Sequence, residues 1–184
     1  MIIDDFLPED DYRSLKNLSL TGTFKDEAND IDGVVYPDIM RNLPEALVNA
    51  ILSKASSALG RVPVNPVMFM RMSKEGVKCP HMVHHDGVMG DYSLMLYLND
   101  GDGGTSLVVH RETGITYAPE NDIFAKIIQS DQNNPEAWRV MSTTEMRENR
   151  AFIFNSKLLH CAEPVGGFGD CQSNSRIVLT CFFS

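Results

Sequence analysis

The chain comprises 184 residues with a mass of 20.5 kDa, 43% of them hydrophobic and 22% charged, a balance ordinary for a globular domain. No apolar run approaches the roughly eighteen residues that cross a bilayer, so no membrane association is expected. The formal net charge of −9 would repel a phosphate backbone, which makes nucleic acid a poor partner.

The length fits one domain over 1–184, with helical support in 1–61 and a β-rich core in 62–184 that carries an insertion near 111–150. The start Met1-Ile2-Ile3-Asp4-Asp5 is acidic within a few residues and lacks the basic lead and apolar core of a secretory signal, which predicts a cytoplasmic location. The four cysteines, Cys79, Cys161, Cys171 and Cys181, contain no Cys-x-x-Cys pair and are expected as reduced thiols.

In chain order, Met1 to Ile3 reads as a short strand. Leu7, Tyr12, Leu15 and Leu18 then mark the apolar face of a first helix, whose acidic start Glu9-Asp10-Asp11 suits the positive end of the helix dipole. Thr21 to Met40 holds Gly22, Gly33, Pro37 and several acids without periodicity. It predicts an irregular segment with a brief strand at Gly33 to Tyr36, placed to cover a pocket. Leu43 to Leu59 is the clearest helix. Leu47, Val48, Ile51, Leu52, Ala55 and Leu59 form one stripe, Gly60 stops it, and Asn42 with Glu45 resembles a capping box.

From Val62 the texture turns to β-branched, Met and aromatic runs. Strands are predicted at Val67–Met72, Val83–Asp86, Ser93–Leu98, Leu107–His110, Ala151–Phe154, Leu159–Glu163 and Ile177–Phe183, the pattern of an antiparallel barrel or two-sheet jelly roll. The strand rhythm lapses between His110 and Arg150, where Ile123, Phe124, Ile127 and Ile128 suggest a short helix.

His84 and Asp86 lie two positions apart, so in an extended strand both side chains leave one face and can grip one cation. His160, far along the chain, would be the third ligand. Two imidazole nitrogens and a carboxylate oxygen on one side of an octahedral ion leave open positions for chemistry. A His-x-Asp triplet is short enough to arise by chance, and a single His is more often a packed or surface residue, so the neighbouring sequence has to carry the reading.

Taken in order, His84-x-Asp86, Tyr97-Leu98-Asn99-Asp100, Gly103-Gly104-Thr105, His160 and Arg176 at the head of an apolar strand resemble the Fe(II)- and 2-oxoglutarate-dependent oxygenases. The likeness is to their prolyl-4-hydroxylase-like branch and covers roughly the second half of the chain. It implies a mainly β fold with flanking helices, the double-stranded β-helix or cupin-like jelly roll, in agreement with the strand pattern read independently. It implies metal ligation by His84, Asp86 and His160, and an Arg176 that pairs with the far carboxylate of 2-oxoglutarate, a task suited to a planar, always-charged guanidinium. Tyr97 and Ser93, four apart on one strand face, match a Tyr and a Thr that touch the same carboxylate, with Ser93 in place of the usual Thr. Val178 departs from the hydroxyl residue that many relatives carry two positions after the Arg.

The implied cofactors are Fe(II), 2-oxoglutarate as co-substrate and O2, with ascorbate as a further candidate reductant. The implied reaction hydroxylates a C–H bond of a peptide, prolyl by analogy, or of a small molecule, and releases succinate and CO2. A cupin-type metal-binding isomerase or ligand sensor is the alternative, although the cupin pattern of His-x-His followed closely by Glu is absent after Asp86. A zinc module built from Cys79, His81, His84 and His85 is disfavoured by crowding and by Pro80. Tyr36, Arg71 and Trp138 are candidate pocket or lid residues, each weighed below ordinary packing or surface exposure.

Overall fold

A computed structural model of the chain describes residues 1–28 and 33–184. In chain order the elements are β1 (Ile2–Ile3), α1 (Glu9–Thr21), β2 (Lys25–Ala28), β3 (Val35–Met40), α2 (Glu45–Leu59), β4 (Val67–Ser73) and β5 (Tyr92–Tyr97). There follow β6 (Gly104–His110), α3 (Asp122–Asp131), β7 (Trp138–Glu145), β8 (Ala151–Asn155), β9 (His160–Glu163) and β10 (Arg176–Phe183). Seven strands form a large antiparallel sheet in the order β1-β8-β5-β10-β4-β3-β2, and β7-β6-β9 form a small one.

Period-2 alternation divides the large sheet into two faces. Ile177, Leu179, Cys181 and Phe183 of β10 join Met70, Met72, Leu94 and Leu96 in a core closed by Tyr12 and Leu15 of α1 and Leu47, Ile51 and Ala55 of α2. Each fully buried aliphatic side chain in this layer stabilises the fold by roughly 1.5–3 kcal/mol. The opposite face turns toward the small sheet. Tyr97 reaches across to donate to Thr105 Oγ1 on β6 at 2.9 Å, and Arg176 donates to the Gly104 carbonyl at 3.0 Å. A second cluster behind the small sheet packs Leu159 and Cys161 against Val108, Trp138 and Ile128 of α3.

Both N-terminal helices form where their apolar stripes predict. Gly60 adopts the left-handed conformation at φ 68° and its N–H caps the Ser56 carbonyl, as a helix stop requires. The expected capping box is not formed. Pro44 precedes the first turn of α2 without any side-chain cap, because its fixed φ already opens the helix.

Three other expectations are corrected. Val83–Asp86 is not a strand: the segment touches β9 through one isolated bridge, His84 to His160, and then turns at Gly87. Thr21–Met40 is more regular than its composition suggests, since β2 and β3 pair as a hairpin whose register shifts between Lys25 and Glu27, with residues 29–32 outside those described. The span 111–150 contains β7, an eight-residue strand paired along the whole of β6. It escaped pattern reading because most of its side chains are exposed on both faces, so no apolar alternation marks it. The four cysteines are free thiols, and no helix among the described residues is long and apolar enough to cross a membrane.

Candidate metal centre

Strand pairing, rather than a strand shared by all the ligands, assembles the site. The backbone of His84 exchanges two hydrogen bonds with His160, His84 N–H to the His160 carbonyl at 3.1 Å and His160 N–H to the His84 carbonyl at 2.9 Å. Asp86 N–H donates to the Ser156 carbonyl at 2.7 Å, fixing the next turn of chain. His84, Asp86 and His160 thereby bring one donor atom each to within 4.8 Å of one another. His84 Nε2 lies 3.8 Å from Asp86 Oδ1, and His160 Nε2 lies 3.2 Å from Asp86 Oδ2. A six-coordinate ion with bonds of about 2.1 Å spaces adjacent donors by about 3 Å, so modest side-chain movement suffices to close on a cation.

The protonation states suit that role. Burial and the neighbouring His160 hold the His84 imidazole down at about 4, so it is neutral at neutral pH. Burial alone would raise the Asp86 carboxyl, but His160, His84 and the Ser93 hydroxyl more than offset it and hold the group at about 2. Burial opposes charge on His160 as well, yet the Asp86 carboxylate raises its pKa above the usual imidazole value. His160 Nδ1 donates to the Leu158 carbonyl at 2.9 Å, so the extra proton that Asp86 favours on the ring belongs at Nε2, the atom whose proton a cation would displace. This buried Nε2 has no aligned hydrogen-bond partner. An orphaned nitrogen beside two further donors is what a divalent ion would satisfy. Phe154 closes the inner side with its ring centroid 4.9 Å from that of His160.

Ser93 lies on β5 with its hydroxyl donating to Asp86 Oδ2 at 3.0 Å and within 3.1 Å of Ser156 Oγ. It therefore positions the carboxylate. Tyr97 is fully buried and its hydroxyl is already bonded to Thr105. Arg176 is 6% exposed and burial lowers its pKa to about 10, leaving it cationic at neutral pH. Its Nη2 donates to Gly104, while its buried Nε has no partner.

A cavity of about 430 Å³ opens beside the triad, with His84 and Asp86 in its wall. Phe69, Met95 and Phe182 make it apolar, Thr180 contributes a hydroxyl, and Tyr36 and Ile39 of β3 close one side. Tyr36 and Arg71, which the sequence favours as packing or surface residues, thus face the cavity, whereas Trp138 is buried in the cluster under α3. Arg176, Tyr97 and Ser93 are not among the lining residues. Thr180, Phe69 and Phe182 escaped sequence reading. The only available signal was alternation on β4 and β10, which sets them opposite the helix-covered face.

No family model and no curated protein matches the chain. Solved structures do. A prolyl-4-hydroxylase from Pseudomonas putida aligns over 100% of this chain and 91% of its own, at a TM-score of 0.56 and 16% identity. A prolyl hydroxylase from Trichoplax adhaerens, solved with a hypoxia inducible factor peptide fragment, aligns over 100% of this chain and 82% of its own, at 0.60 and 13%. The fold is the double-stranded β-helix of these enzymes. The nogalamycin-biosynthesis epimerase SnoN, solved with Fe3+ and alpha ketoglutarate, shares it over 98% of this chain and 77% of its own, at 0.54 and 10%.

Proposed function

We propose that the protein is an Fe(II)- and 2-oxoglutarate-dependent dioxygenase that hydroxylates a C–H bond of a peptide, prolyl among the candidates, or of a small molecule. The observation that carries this reading is the convergence of His84, Asp86 and His160 on one point beside a cavity, within a fold shared with alpha ketoglutarate-dependent enzymes. The whole chain, residues 1–184, acts as one oxygenase unit, in which 1–61 gives both the two supporting helices and three strands of the large sheet, β3 among them beside the cavity.

Fe(II) held by His84, Asp86 and His160 would supply the activation of O2, the oxidant, which would place one oxygen atom in the substrate C–H bond and the other in the succinate formed from 2-oxoglutarate with loss of CO2. The chain itself binds, orients and shields. His84 presents a neutral nitrogen, His160 presents Nε2 once the ion displaces its proton, and Asp86 contributes one negative charge that lowers the cost of burying a dication. Ser93 keeps the Asp86 carboxylate turned toward the imidazoles. Arg176 pairs through its free Nε and remaining N–H groups with the far carboxylate of the co-substrate, supported by Tyr97 alongside. Phe69, Phe182 and Met95 keep water from the reacting centre.

Anaerobic Fe(II) plus 2-oxoglutarate should give the weak visible charge-transfer band of the bidentate complex, and His84→Ala and His160→Ala should each lose it. Arg176→Ala should retain iron while its 2-oxoglutarate requirement rises by about tenfold or more, as expected for loss of a charge-assisted pair. Tight metal binding without 2-oxoglutarate consumption would favour the cupin-type isomerase or sensor instead.

A further inference from the structure

Glu27, Arg41 and Arg71 are the charged groups of the cavity that no role above uses, and Glu27 and Arg41 pair with each other, which leaves Arg71. It lies on β4 opposite Val178 of β10, on the inner face and diagonal to Arg176, which pairs with Ser73. It lines the 430 Å³ cavity and also a smaller adjoining one of about 240 Å³, and in both it stands with Tyr36, His84 and Asp86. Its guanidinium carbon is 5.6 Å from the centroid of the Tyr36 ring. Among the described residues no carboxylate pairs with it, and its buried Nε makes no hydrogen bond. The neighbouring Arg41 differs, since it is paired with Glu27 and stacked over Phe69. A guanidinium with a desolvated N–H, a partly apolar surrounding and no anion paired to it among the described residues is a charge that a bound ligand would complete.

We propose that Arg71 receives a carboxylate of the molecule to be oxidised, so that the enzyme acts on small organic acids with an apolar body; this deepens the oxygenase reading above and rests on it. Arg176 and Arg71 divide two tasks. The former is buried beside Tyr97 under the small sheet, away from the cavity lining, and serves the co-substrate; the latter faces the open space where a second molecule must sit. Phe69, Phe182 and Met95 accept the apolar body, and the volume suits a metabolite-sized ligand. Arg41 and Glu27 in the same lining cancel as an ion pair, Arg71 supplies one positive charge, and Asp86 already stands in the wall, so a monoanionic carboxylate balances better than a phosphate dianion.

Hydrocinnamate and its neutral amide, hydrocinnamide, serve as matched probes. Their binding is measured by calorimetry on the full chain, both metal-free and loaded anaerobically with Fe(II) and 2-oxoglutarate. The acid should bind about tenfold more tightly than the amide in both states; the preference should vanish in Arg71→Met and survive in weakened form in Arg71→Lys. The affinity for 2-oxoglutarate should stay within about twofold in Arg71→Met. Equal binding of acid and amide, binding of neither, or a preference that persists in Arg71→Met overturns the assignment. So does a fall in 2-oxoglutarate affinity, or displacement of 2-oxoglutarate by hydrocinnamate, since Arg71 would then hold the co-substrate. Absence of the charge-transfer band in the wild type instead removes the oxygenase reading while leaving the metal-free measurement of Arg71 intact.

Discussion

At the scale of single residues, the support behind a ligand is as informative as the ligand. Ser93 has no exposed surface and gives its proton to the same Asp86 oxygen that faces His160. Ser93→Ala removes that donor without disturbing the strand, so metal affinity should fall by about 10-fold or more with unchanged secondary structure. Ser93→Thr keeps the hydroxyl and should stay near wild type; metal titration followed by fluorescence or calorimetry checks both. The convergence of His84, Asp86 and His160 was legible because the resemblance supplied the residue types and their order, which a spacing alone does not. The link from Ser93 to Asp86 was not readable, since seven residues and a turn separate them and only the folded backbone brings the hydroxyl to the carboxylate. The same holds for Arg71. Its place in the Met68-Phe69-Met70-Arg71-Met72 alternation predicts a face, while the cavity on that face depends on strands distant in sequence.

At the scale of elements, helices with a continuous apolar stripe were legible to within a few residues, and so were the strands of the large sheet that carry buried side chains. β7 and the β2–β3 hairpin were hidden because their stabilisation comes from backbone pairing at the rim and not from apolar periodicity. One junction between sheet elements is sharply constrained. Gly104 opens β6 at φ +145°, and a Cβ there would strike the Thr144 carbonyl oxygen on β7. Neither backbone can retreat without opening the β6–β7 ladder, which begins with Gly104 opposite Glu145 and Thr105 opposite Thr144. Gly104→Ala should therefore destabilise the protein by about 2 kcal/mol or more, read as a lower urea midpoint. Because Arg176 donates to the Gly104 carbonyl, the same change should weaken 2-oxoglutarate binding in whatever fraction remains folded.

At the scale of the whole molecule, the two faces of one sheet divide the labour. The face under α1 and α2 holds the stabilising core, and the opposite face carries Arg71, Arg176 and much of the cavity wall, across from the candidate ligands that β9 and the 84–86 segment supply. An ion that binds only the folded state adds stability in proportion to its occupancy, about 2.7 kcal/mol at 100 times its dissociation constant. For a chain of this length that corresponds to a rise of roughly 5–10 °C in Tm. Fe(II) or a redox-inert divalent substitute should produce it, EDTA should reverse it, and His160→Ala should abolish it.

The reciprocal main-chain pairing of His84 with His160 fastens the ion seat independently of the side chains around the cavity. Ile39, Phe69, Met89 and Phe182 take no part in that fastening, so they form an interchangeable rim on a fixed chassis. Libraries randomised at those four positions would search for new selectivity while leaving the His84–His160 pairing in place, which makes this small scaffold a practical starting point for directed evolution.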